Sequence, residues 1–371
     1  MKNTIGNSLT ITIFGESHGE AIGCVLDGVA PGIAIDDECI KAYLSKRRPS
    51  GLTDTKRCEP DNYKIVSGVF EGKTTGTPIC IIIPNEDKKS ADYNFGPARP
   101  SHADYAAHVK YHGFEDYRGG GHFSGRITAA LVAAGGILLP QLEKLGIFIG
   151  THILKCSGIE DLAFNPVNPS KDIKKLKDSS FPVLDEVKGQ AMVDEIEKAK
   201  NTLDSVGGII QTAVTGLPSG VGEPWFDSVE SQLSHAIFSI GAVKGVEFGA
   251  GFEGTSLKGS EFNDSFIKGD GKIVTKTNNN GGINGGITNG MPILFNTAVK
   301  PTPSISKPQQ TVNFLTGNEE ELVIKGRHDP AIIRRICPVI DSMTAIIIAD
   351  MLCCRYGTDV LTKGEKLWNM D

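Results

Sequence analysis

Residues 127–139, ITAALVAAGGILL, carry no charge and offer no polar face. A helix built from them has nothing to turn towards water, so the chain must supply other structure to cover it. The run is too short and too rich in glycine and alanine to read as a bilayer span. Just upstream, residues 99–126 hold Arg99, His102, Asp104, Tyr111, His112, Asp116 and Arg118, then a triple glycine at 119–121, then His122, Ser124 and Arg126. Cationic and titratable groups crowd one side of the glycines, and the apolar segment lies on the other. A glycine run entering a helix exposes backbone N–H groups and the positive end of the helix dipole, which suits a phosphate. The same residues also read as a surface turn before a core helix.

A second segment, residues 330–356, is apolar on most faces and is expected to be a buried helix kinked at Pro338. Asp329 followed by Pro330 fits its N-cap and first position. Residues 9–14 alternate as a half-buried strand ending in Gly15-Glu16-Ser17-His18-Gly19, a tight turn that displays polar groups. Asp36, Asp37 and Glu38 open a helix that delivers Lys46, Arg47 and Arg48 at its end, where paired arginines either grip an anion or simply complement the dipole. Residues 80–83 form a fully apolar strand and residues 208–215 another. Met192, Ile196, Ala199 and Leu203 recur at helical spacing in a lysine-rich surface excursion, and His235 reads as a core or interface histidine. The stretch at 28–33, GVAPGI, is echoed by GLPSGV at 216–221, a weak internal repeat of a strand–turn–helix unit. The run NNNGGINGGITN at 278–289 supplies left-handed turns for close backbone approach, or a flexible loop.

Composition limits the function. With 371 residues, 39% hydrophobic and 22% charged, the chain has a sizeable core, and its net charge of −6 argues against a nucleic-acid face. Eight cysteines without a CxxC pair, and no apolar leader at residues 1–5, point to reduced thiols in a cytoplasmic protein with no membrane partner. His108 and His112 lack the glutamate of HExxH, so no metal is expected. Neither a P-loop nor a strand–GxGxxG–helix unit is present. What remains is a set of glycine-, arginine- and proline-bearing loops with a few histidines. That pattern fits one large site for a multiply charged anion and a cofactor, with imidazoles as proton donors.

These residues carry a resemblance to the chorismate synthase family. The motifs are GESHG at 15–19, RRP at 47–49, RPSHAD at 99–104, YRGGG at 117–121, SIGAVKGVEFGAGF at 239–252, NNNGGINGGITNGMPI at 278–293, KPTPSI at 300–305 and GRHDP at 326–330. The resemblance implies an α+β fold over the whole chain, residues 1–371, in which helices lie between two antiparallel sheets, assembled as a homotetramer. It implies conversion of 5-enolpyruvylshikimate-3-phosphate to chorismate and phosphate by anti-1,4 elimination, without net redox change. Reduced FMN is the implied cofactor, with NADPH as a reductant in part of the family. By motif, His18 resembles the histidine that protonates the flavin, His102 the acid for the departing phosphate, and Asp329 the residue that acts with the flavin in proton removal. Substrate contacts are expected from Ser17, Arg47, Arg48, Arg99, Arg126 and Arg327. Flavin contacts are expected from His122, Phe123, Ser124, Gly241, Ala242, Gly285, Lys300, Pro301, Thr302, Pro303, Ser304 and Arg327, and a nicotinamide contact from Arg47. The chain departs from the family at His122-Phe123-Ser124, where Arg-Ser-Ser is usual, and at Thr53, where the family often has a basic residue. The competing reading is a non-catalytic flavin- or anion-binding protein on the same fold.

Overall fold

The computed structural model describes residues 2–50, 54, 59–87, 95–269, 271–324 and 329–362. Its first sheet has five antiparallel strands in the order Thr4–Ile5, Thr10–Gly15, Ala21–Asp27, Ile79–Pro84, Lys64–Ser67. The second has Ile159–Glu160, Phe148–Cys156, Gly208–Thr215, Ile293–Val299, Val243–Phe248, again antiparallel throughout. The uniformly apolar strand Ile79–Pro84 still divides its faces, since Ile79, Ile81 and Ile83 are fully buried while Cys80 and Ile82 are only partly covered.

Both sheets follow one pattern. By chain position, their four main strands run first, second, fourth, third, and a short edge strand lies beside the first. One helix follows the second strand of each sheet, Asp37–Arg47 for the first and Val229–Phe238 for the second, and a long apolar helix comes after the fourth, Thr128–Lys144 or Ile333–Tyr356. The two echoed hexapeptides occupy matching places. Gly28 and Gly216 each leave the central strand of their sheet at φ 84°, and each presses on the chain entering the neighbouring strand, at Ser8 and Gly146 respectively. A side chain is excluded at both, on sterics and on backbone conformation alike.

The Thr128–Lys144 helix packs on Ala21–Asp27 and Ile79–Pro84, the Ile333–Tyr356 helix on Phe148–Cys156 and Gly208–Thr215, and the two pack on each other and on Asp37–Arg47. Adjacent glycines permit that approach. A Cβ on Gly135 would lie 2.3 Å from Ser342 Cβ, and one on Gly136 2.8 Å from Ile40 Cα. Gly125–Lys144 and Ile333–Tyr356 are long and apolar enough, by length and composition alone, to cross a membrane. Their apolar windows are instead 83% and 94% buried inside the protein.

Several local expectations shift. The C-terminal helix begins at Ile333 with Ile332 as its cap, so Asp329 is not an N-cap, and Pro338 lies inside it. Helix Glu186–Asn201 buries Met192, Ile196 and Ala199, but Leu203 lies beyond it at φ 60° and is 56% exposed. His235 is exposed on its helix and is not a core residue.

Candidate active site

The turn after strand Thr10–Gly15 is fixed from several sides. Asn85 Nδ2 donates to Glu16 O (2.9 Å) and Gly19 O (3.1 Å), and Ser17 N donates to Gly121 O (3.1 Å), tying the turn to the triple glycine. Ser17 and His18 are buried. Gly119, Gly120 and Gly121 all sit at positive φ, 62°, 83° and 53°. The helix does not begin until Thr128, so the glycines do not form a phosphate seat at its N-terminus. They make room for imidazoles instead. A Cβ on Gly119 would stand 2.1 Å from the His18 ring, and one on Gly120 would touch His102 Cε1 at 3.4 Å. His122 Nδ1 lies 2.8 Å from Gly15 O, and a carbonyl only accepts, so that nitrogen carries the hydrogen.

His102 sits on a tight loop with Ser101 at φ 58°. Its Nδ1 is 2.7 Å from Asp104 Oδ1, and Arg99 grips both Asp104 oxygens, Nε to Oδ2 and Nη2 to Oδ1, each at 2.7 Å. Burial pushes the Asp104 carboxyl up, but the bonds from Arg99 and His102 outweigh it and hold it well below the ordinary carboxylate range. Lys300 Nζ donates to Ser101 O (2.6 Å), which joins this loop to residues 300–304.

On the far wall, Asp329 Oδ2 accepts from Arg335 Nη1 (2.6 Å), and Arg335 Nε donates to Arg47 O (2.9 Å). Asp61, fully buried, lies between Arg47, at 2.9 Å, and Arg126. Burial raises the Asp61 carboxyl and the two guanidinium groups more than reverse it, so the group stays ionised. Arg126 spends Nε on Asn85 Oδ1 (3.0 Å) and Nη2 on Pro84 O (3.1 Å) as well.

One cavity of about 840 Å³ is bounded by these elements, within the size range of cofactor sites. His18, His102 and Asp329 all line it, as do Arg47, Arg99 and Arg126. So do His122, Phe123, Ser124, Thr302 and Ser304. Ser17, Arg48, Gly241, Ala242, Gly285, Lys300, Pro301 and Pro303 are not among its lining residues. Arg48 Nη1 donates to Pro60 O, Lys300 N to Ala242 O at 3.0 Å, and Gly285 is the open tip of a hairpin. Arg327 and Thr53 lie outside the described residues. No group of metal-ligating side chains is found among the described residues. Sequence reasoning missed Asp61, Asp104 and Arg335. Asp104 stood two residues after His102 and Arg335 in a basic pair, whereas nothing around Asp61 sets it apart from a surface carboxylate.

With that geometry in hand, likeness to known proteins is informative. A model of the chorismate synthase family matches residues 9–353. The chorismate synthase of Pyrococcus abyssi is 44% identical over 353 residues, covering 94% of this chain and 97% of that protein. That of Lachnoclostridium phytofermentans is 45% identical over 354 residues, covering 94% and 95%. A crystal structure of a chorismate synthase superposes with a TM-score of 0.74 at 28% identity, covering 95% of this chain and 94% of the other. Matched over nearly its whole length in sequence and in fold, the chain belongs to the chorismate synthase family.

Proposed function

We propose that this chain catalyses the family reaction, the anti-1,4 elimination of phosphate from 5-enolpyruvylshikimate-3-phosphate to give chorismate, the last step of the shikimate pathway. The observation that carries this reading is the convergence of His18, His102 and Asp329 on one cavity from three distant parts of the chain. In the reaction a ring C–O bond breaks and its electron pair leaves with phosphate. A ring hydrogen departs as a proton, and a second ring double bond forms. His102 donates a proton to the departing phosphate, and Asp329, steadied by Arg335, receives the ring hydrogen. Arg47 and Arg126 line the cavity and share the single carboxylate of Asp61, which leaves net positive charge where negative charge collects.

A flavin fits this cavity on one structural ground. Thr302 Oγ1 is buried at the cavity wall and has no hydrogen-bond partner among the described residues. His122, Phe123, Ser124, Thr302 and Ser304 would hold the group, and His18 would keep a proton against its polar edge. Reduced FMN held there would supply an electron-rich ring beside the C–O bond that breaks.

The same proposal covers the architecture: two sheets flanking a helical layer, built from a repeated half, in one domain. The shared strand order of the sheets supports it. A cytoplasmic homotetramer is the proposed state, and Trp225 and Phe226, 85% and 90% exposed, are the kind of surface an assembly would cover.

Anaerobic phosphate release from the substrate with chemically reduced FMN tests the reaction. His102→Ala is expected to lower turnover by about two to four orders of magnitude, with substrate binding largely kept. Unchanged turnover in that variant would favour a binding protein. A second arm with oxidised FMN and NADPH reads whether the protein reduces its own flavin, with Arg47 as the candidate nicotinamide contact.

A further inference from the structure

His102 has two ring nitrogens, and the fold commits one of them. Nδ1 faces Asp104 Oδ1 at 2.7 Å. That oxygen already takes a charged donor from Arg99 Nη2, and Oδ2 takes Arg99 Nε and the Arg99 backbone N–H at 3.0 Å. A carboxylate so loaded can only accept, so Nδ1 donates and carries hydrogen. The proton that His102 can exchange is left on Nε2, beside Gly120, whose missing Cβ would lie 3.6 Å away. Arg99 is itself engaged. Beyond its two side-chain bonds and one backbone bond to Asp104, its Nη1 reaches Ser304 Oγ at 3.5 Å, on the loop whose Lys300 ties back to Ser101.

We propose that Asp104 is a positioning residue for the reaction proposed above, on which this inference rests: it fixes the His102 ring so that the transferable proton lies at Nε2, and Arg99 acts as the clamp on Asp104 rather than as a substrate ligand. The arrangement follows the logic by which a buried carboxylate sets the tautomer of a catalytic imidazole.

The test uses the full chain with reduced FMN. Asp104→Asn is expected to lower kcat about 10- to 100-fold while KM stays within about threefold. Asp104→Glu should restore most of the loss. Asp104→Asn added to His102→Gln should cost nothing further, because both changes act through one imidazole. In parallel, the unliganded protein is labelled with ¹⁵N-histidine, and His102 is assigned by its absence in His102→Gln. Its Nδ1 should be protonated, and Asp104→Asn should remove that preference. Losses that multiply in the double variant, or an unprotonated Nδ1 in the unsubstituted protein, would overturn the proposal. If the unsubstituted chain releases no phosphate, the reaction itself is wrong, and the nitrogen spectra alone decide the role of Asp104.

Discussion

At the scale of single residues, the triple glycine is a steric device. Gly119 combines a left-handed backbone with a ring packed where its side chain would be, 2.1 Å from His18 Cε1 and Nδ1. Gly119→Ala must therefore strain the backbone and displace the imidazole together. Turnover is expected to fall about 100-fold or more, with a loss of roughly 1–3 kcal/mol in stability. Anaerobic phosphate release and a thermal melt measure the two effects, and Gly259→Ala, at a position with nothing within 4 Å, serves as a control that should change neither. The sequence displayed these glycines plainly. What it could not display was their neighbour, because His18 is about a hundred residues away along the chain.

At the scale of elements, the C-terminal helix departs most from its sequence signals. Asp329-Pro330 should start it, yet the Pro330 carbonyl accepts from Val206 N (2.8 Å) instead of from a helical N–H. The helix starts three residues later, and the Asp329 carboxylate is left for Arg335 and the cavity. Within this helix Asp341 has one buried oxygen, Oδ1, with no hydrogen-bond partner among the described residues, and burial raises its carboxyl to about 6. A raised carboxyl favours the protonated folded form. Its contribution is therefore fully present below about pH 4 and is lost as pH rises through about 6. Asp341→Asn, which cannot ionise, should be more stable than the parent at pH 8 by about 1–3 kcal/mol, and the difference should shrink or reverse at pH 4. Thermal melts across that range check it. A gap that did not vary with pH would refute the assignment.

At the scale of the whole molecule, one buried carboxylate ties the last long helix to the start of the chain. Asp350, on the last long helix, accepts the backbone N–H groups of Asn7 (2.9 Å), Ser8 (2.8 Å) and Leu9 (2.8 Å), at the entry to the first sheet. Asp350→Ala leaves three donors without their acceptor and should cost about 3 kcal/mol or more in urea unfolding. A loss under about 1 kcal/mol would show that the N-terminal segment holds without it. Across the second sheet, His152, Gln211, Asn296 and Glu247 lie at one register and join through their side chains into a transverse polar ladder. Neither link has a sequence pattern, because each joins residues distant along the chain.

Local chemistry alone determined a good deal: the strand at Gly208–Thr215, the helix capped by Asp36 and the burial of residues 127–139. Those features depend on neighbours within a few positions, where periodicity and capping operate. Tertiary structure alone decided which cations face the cavity freely and which are spent. Arg47 and Arg126 read from the sequence as anion grips, and the fold pairs both with Asp61. Arg335 follows Arg334 with nothing in the sequence to mark it, and the fold sets it against Asp329. An ionic partner is chosen by distance in space, and a linear sequence holds no measure of that distance.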